Sequence, residues 1–120
     1  MQWDYRQPVA ILFGEGRIHE LDGILSDMGL DGGVIVASHH FVNDGTVARI
    51  TTESDGAIVG CFSDFSPNPD VTDVDACAAL IRRLKGRFIV AIGGGSAMDC
   101  AKAASVMALL PGSIRQFHGT

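Results

Sequence analysis

Residues 88 to 112, FIVAIGGGSAMDCAKAASVMALLPG, constrain what this chain can fold into more than any other stretch. Phe88 to Ile92 is a continuous apolar run of strand length with no polar alternation, the pattern of a strand buried on both faces in a parallel sheet. Gly93-Gly94-Gly95 must then turn the chain sharply. Ser96 stands where a helix N-cap is expected, with Asp99 three residues later in a capping-box-like arrangement. A helix over Ala97 to Leu110 follows from its Ala, Met, Leu and Lys content, and Pro111-Gly112 ends it. Three residues without Cβ let a backbone approach a pyrophosphate closely. The free N–H groups and the positive dipole end of the helix face such an anion, and the Ser96 hydroxyl can add a hydrogen bond. The plainer reading is a tight turn whose glycines serve packing. Neither G-x-G-x-x-G nor G-x-x-x-x-G-K-[ST] is present.

The same alternation extends over the chain. Val9 to Phe13, Val34 to Ala37 and Ala57 to Phe62 read as further strands. In Arg17 to Met28 the positions Ile18, Leu21, Ile24, Leu25 and Met28 recur at helical spacing. A weaker helix lies around Gly45 to Thr52. Ser63 to Pro69 is a loop whose prolines exclude helix and ladder. The helix from about Val71 to Lys85 carries Asp73 and Asp75 early and Arg82, Arg83 and Lys85 late, with Gly86 as its cap, so its charges complement the dipole. The tail SIRQFHGT shows no periodicity and is expected to be disordered from Ser113. The sum is an α/β fold: a doubly wound, mostly parallel sheet with helices on both faces. Ligands of such sheets bind beyond the carboxyl ends of the strands, near the reversal of strand order. Ser38-His39-His40, the Pro67-Asn68-Pro69 loop and the glycine turn all stand at such ends.

Fourteen acidic against nine basic residues give a net charge of -5, and no basic face is available for nucleic acid or an anionic membrane. No apolar run approaches a membrane span, and the first residues lack a signal peptide's order. Cys61, Cys77 and Cys100 share no metal spacing and fit reduced thiols, so a cytoplasmic location is expected.

GGGSAMDCAK at Gly93 to Lys102 resembles the GGGSxxDxAK motif of the iron-containing (group III) alcohol dehydrogenases. FGEG at Phe13 to Gly16, VIVAS at Val34 to Ser38 and PNPDVTDVDA at Pro67 to Ala76 are similar to further segments of that family, in order and spacing. The resemblance implies a Rossmann-like fold of the dehydroquinate synthase-like superfamily. Residues 1 to 120 would be its amino-terminal NAD(P)-binding domain, truncated, with the helical metal-binding domain absent. By the same resemblance Gly94, Gly95 and Ser96 hold the pyrophosphate of NAD or NADP, and Asn68 lines the cleft towards the nicotinamide. Asp99 braces the turn or the cofactor's inner end, and Lys102 either belongs to the motif or pairs with Asp99. Ser38 takes the place where the family often has an aspartate on the adenosine ribose. A neutral residue there, with His39 and His40 beside it, removes the repulsion of a 2′-phosphate and admits NADP. Alternatively Ser38 is a turn residue and the histidines, on extended chain, are solvated.

The family's metal, Fe2+ or Zn2+, is held by one Asp and three His of the helical domain. His19, His39, His40 and His118 lack the i, i+4 spacing of such a site. The resemblance therefore implies the cofactor-binding part of a metal-dependent alcohol dehydrogenase. The full enzyme would move hydride between a small alcohol and its aldehyde or ketone, and would form a homo-oligomer; the chain alone is expected to be inactive. The alternatives are a non-catalytic nucleotide-binding or interaction module, and a relative of glycerol dehydrogenase or dehydroquinate synthase.

Overall fold

The computed structural model describes residues 9–13, 23, 29, 31–54, 56–108 and 114–117. Five strands form one sheet: β1 (Val9–Phe13), β2 (Gly33–Ala37), β3 (Ile58–Phe62), β4 (Phe88–Ile92) and β5 (Ile114–Phe117). Their spatial order is β3-β2-β4-β1-β5, and every pairing is parallel. Four helices are described: α1 (His39–Asn43), α2 (Thr46–Glu53), α3 (Val71–Arg83) and α4 (Gly95–Met107). The helix expected over Arg17 to Met28 falls outside the described residues, except Gly23, which is helical.

β2 and β4 are buried at all five positions, as their unbroken apolar runs require of central strands. On one face Val34, Val36, Ile89 and Ala91 form a core with Val74, Cys77, Ala78 and Ile81 of α3 and with Cys100, Ala101 and Ala104 of α4. Strand alternation turns Ile35, Ala37, Val90 and Ile92 to the other face. There the right-handed crossover rule places α1 and α2, whose Phe41, Val47 and Ile50 are buried. The small residues of α4 let it approach both β4 and α3 closely. Arg82 Nη1 donates to the Met107 carbonyl at 3.0 Å, which satisfies one orphan acceptor at the end of α4. All three cysteines are free thiols. Cys77 and Cys100 are buried, and the Cys77 thiol is held protonated by its hydrogen bond with Cys100 and by burial.

Four sequence expectations are corrected here. The tail is not without structure: Ile114–Phe117 pairs with β1, Ala10 against Ile114 through Phe13 against Phe117. Four residues with two polar ones carry no period, and the open edge of β1 supplies the order instead. His39 and His40 lie on a short helix rather than on extended chain, with Ser38 as its N-cap. The cap of α4 is Gly94 and the helix starts at Gly95, so Ser96 is inside the first turn and forms no capping box with Asp99. Among the described residues a capping box belongs to α3, between Asp70 and Asp73, and Asp73 is the acidic residue of its first turn.

The other end of α3 differs as well. Its cap is Leu84, and Lys85, not Gly86, takes the left-handed conformation with φ 56°. Lys85 N–H bonds the Arg82 carbonyl at 3.1 Å and Gly86 N–H bonds the Ile81 carbonyl at 2.7 Å, which is a Schellman closure. Gly86 is there for space, because a Cβ would sit 3.1 Å from methyls of Ile81 and Val34. Lys85→Gly is therefore expected to stabilise the protein by about 0.5–1 kcal/mol, since it relieves the left-handed strain of a residue with a Cβ. Thermal unfolding of the variant beside the parent checks this; an unchanged or lower midpoint would contradict it.

Candidate functional site

The connection after β2 runs outwards to β3, while that after β4 runs the opposite way, past β1, to β5. The loops therefore part between the carboxyl ends of β2 and β4, where a crevice must open. A cleft of about 400 Å³ lies there, lined by Ser38 and His39 after β2, Phe65, Ser66 and Pro67 after β3, and Gly94 to Ala97 after β4. A larger hollow of about 500 Å³ lies between β3 and α3, with Cys61, Asp64 and Arg83 at its walls. Among the described residues no helix start lines it, so size does not select it. Cys61 is exposed at the surface, yet the partial loss of water around its sulfur, with Asp64 nearby, pushes the thiol up to about 11.

The three glycines serve different ends. Gly93 has φ +126°, and a Cβ on it would also stand 3.5 Å from the Phe41 ring and 3.6 Å from Ser38 Oγ. The turn itself demands a glycine at that position. Gly94 has φ -87° and Gly95 is helical, conformations open to any residue. A Cβ on either would meet nothing within 4 Å. Neither packing nor backbone strain explains these two glycines, and a glycine in a helix costs stability. What they provide is an open approach to the start of α4. There the N–H groups of Gly95, Ser96 and Ala97 precede the first helical bond, from Met98 N–H to the Gly94 carbonyl at 3.3 Å. Three aligned donors, with the positive end of a helix behind them, fit a pyrophosphate.

The Ser96 hydroxyl takes a role other than the expected one. It donates to the Pro67 carbonyl, so its single proton fastens the Pro67 loop to α4 instead of facing the cleft. That loop is held from its far side by Asp73. The Asp73 carboxylate accepts Ser66 N–H at 3.1 Å and Asp70 N–H at 3.2 Å, and it shares the single Ser66 hydroxyl proton, at 3.0 Å, with the Asn68 carbonyl at 2.8 Å. The Ser66 backbone N–H, above the other bonds, keeps this carboxyl below its ordinary range.

Of the residues expected at the site, Ser38, Gly94, Gly95 and Ser96 come together around the cleft. Asn68 and Asp99 are exposed outside its lining; the Asn68 carbonyl accepts the Ser66 hydroxyl at 2.8 Å. No ion pair joins Asp99 to Lys102, although they stand three apart on α4. His39 lines the cleft, whereas His40 is turned to Asp44 at 3.6 Å and stands edge-on to the Phe41 ring. Among the described residues no carboxylate lines the cleft. Phe65, Ser66 and Ala97 were not foreseen as lining residues; their places after β3 and at the helix start were the available signal. Among the described residues no three His, Cys, Asp or Glu side chains gather as metal ligands, and His19 and His118 lie outside the described residues. The residues on view do not form a metal centre.

At 52% identity the chain is similar to the sulfoacetaldehyde reductase of Bifidobacterium kashiwanohense, whose crystal structure contains NAD+. The match covers 94% of this chain and 30% of that one, with a TM-score of 0.73. It is 29% identical over 117 residues to alcohol dehydrogenase 4 of Saccharomyces cerevisiae strain YJM789, covering 96% of this chain and 30% of that protein. It is also 29% identical over 101 residues to a probable NADH-dependent butanol dehydrogenase of Bacillus subtilis, covering 82% of this chain and 26% of that protein. The chain thus spans about 30% of the first relative's length. Residues 8–119 match the family described as iron-containing alcohol dehydrogenase, and the chain belongs to that family.

Proposed function

We propose that this chain is the cofactor-binding part of an NAD(P)-dependent dehydrogenase or reductase that acts on a small alcohol and its aldehyde. Residues 1–120 form its amino-terminal α/β domain, the protein is cytoplasmic, and it assembles with copies of itself. The observation that carries the reading is the pair Gly94 and Gly95. They are glycines without an internal reason, set before three free helix N–H groups. In this reading the pyrophosphate lies on the N–H groups of Gly95, Ser96 and Ala97. Asn68 and Asp99 serve the cofactor from outside the lining, towards the nicotinamide and behind the glycine turn. When bound, the nicotinamide takes up or gives the hydride. The relative that reduces sulfoacetaldehyde supports an aldehyde as substrate of the longer protein.

Ser38 and His39 at the β2 end of the cleft, with no carboxylate among the described lining residues, support acceptance of NADP as well as NAD. Calorimetric titration of the 120-residue protein with each cofactor tests both points. Saturable binding of NAD is expected, with NADP within about tenfold of it, because like-charge opposition is what would separate them further. A folded protein that binds neither would refute the cofactor site. Strong preference for NAD would refute only the roles given to Ser38 and His39.

A further inference from the structure

Asp73 stands outside the cleft, yet it holds the cleft's wall. Its bond from Asp70 N–H is the ordinary return of a capping box, but the bond from Ser66 N–H is not, nor is the Ser66 hydroxyl proton that it shares with the Asn68 carbonyl. Ser66 precedes the α3 cap by four residues, so the carboxylate reaches back over the whole Pro67–Pro69 segment and closes it into a ring. That segment needs such a tie. Pro67 and Pro69 have no N–H, and among the described residues no backbone–backbone hydrogen bond reaches residues 64–69. The next residue after Ser66 offers its carbonyl to the Ser96 hydroxyl. A continuous path therefore runs from Asp73 through Ser66 and Pro67 to Ser96. It joins the first turns of α3 and α4, and Ser66, Pro67 and Ser96 all line the cleft. Bonds to an ionised carboxylate are the stronger kind, so the path is anchored at its charged end.

We infer that Asp73 is a positioning residue for the dinucleotide, fixing the Ser66–Pro67 wall against the start of α4. This rests on the cofactor reading given above. A carboxylate that served only as a helix cap would matter to stability alone. One that sets the wall matters to affinity in addition, because a loose wall must be ordered each time the cofactor binds.

The test separates the two roles with three variants, each titrated with NAD in the 120-residue protein. Asp70→Ala removes the cap acceptor of Asp73 N–H and leaves both Ser66 bonds. Asp73→Ala removes the ring together with its share of the cap. Ser66→Ala leaves the capping box and removes the hydroxyl tie. Asp70→Ala and Asp73→Ala are each expected to lower the melting temperature by about 4 °C. Asp73→Ala raises the Kd for NAD about tenfold and Ser66→Ala about threefold, while Asp70→Ala stays within about twofold of the parent. Equal Kd shifts in Asp70→Ala and Asp73→Ala, or parental affinity in Asp73→Ala, would overturn the positioning role and leave the cofactor site standing. A parent that binds no NAD would overturn both.

Discussion

Gly95→Asp should lose cofactor affinity by about a hundredfold while the protein melts at a higher temperature. The two effects have opposite signs because they come from different requirements on one position. For the fold, an acidic residue at the first position of α4 is welcome. It faces the positive helix end, which contributes about 0.3–1 kcal/mol, and it replaces a glycine in a helix. There is room for it, since a Cβ at Gly95 meets nothing within 4 Å. For a bound pyrophosphate the same carboxylate is a like charge in the place of approach. At about 5 Å and an effective dielectric near 20 the opposition is about 3 kcal/mol, which is the hundredfold. Calorimetry and thermal melting on one sample read both. If stability falls along with affinity, the fold itself requires the glycine and the packing reading is restored. If affinity survives, the pyrophosphate lies elsewhere.

The second large effect lies away from the site. Gly33 opens β2 and stands in register with Phe88 at the start of β4. A methyl on Gly33 would sit 2.2 Å from Phe88 Cζ and 2.5 Å from Cε2, and Phe88 is only 1% exposed. The ring lies over the glycine and is buried. Gly33→Ala should therefore destabilise the protein by about 2–3 kcal/mol through overpacking, at the joint between the two central strands. The check on cause is a double-mutant cycle with Phe88→Leu, a smaller side chain. The pair should be more stable than the sum of the two changes by about 1 kcal/mol or more. Strict additivity would mean that the ring is not what the methyl strikes.

β2 and β4 could be read from the sequence because burial on both faces leaves a run without polar breaks, and such a run has few alternatives. The cleft was legible for a related reason. Strand alternation fixes which loops share an end, so Ser38, the Pro67 loop and the glycine turn could be brought together before any coordinate. Contacts that exist only after folding were not legible. Ser96 has the side chain of a cap, but Gly94 occupies the cap and the hydroxyl finds an acceptor in Pro67, 29 residues earlier. The α1 segment HHFVN is too short to show a helical period. The strand state of Ile114–Phe117 comes from β1, not from its own residues. The hold of Asp73 on Ser66 has no sequence signature beyond the capping box that it extends.

The strand order also sets a timetable for a chain that emerges from its amino end. β1, the run VAILF, is made before both of its partners, β4 and β5. β2 and β3 can pair with each other early, but the place between β2 and β1 stays vacant until Phe88–Ile92 has been synthesised. Through that interval an uncharged apolar strand waits with both edges open, the condition in which nascent chains associate wrongly. The segment that covers the first of those edges is the one that delivers the glycine turn. In this protein the cleft and the joining of β2 to β1 are completed by adjoining residues, and only the outer edge of β1 stays open, until Ile114–Phe117 has been made.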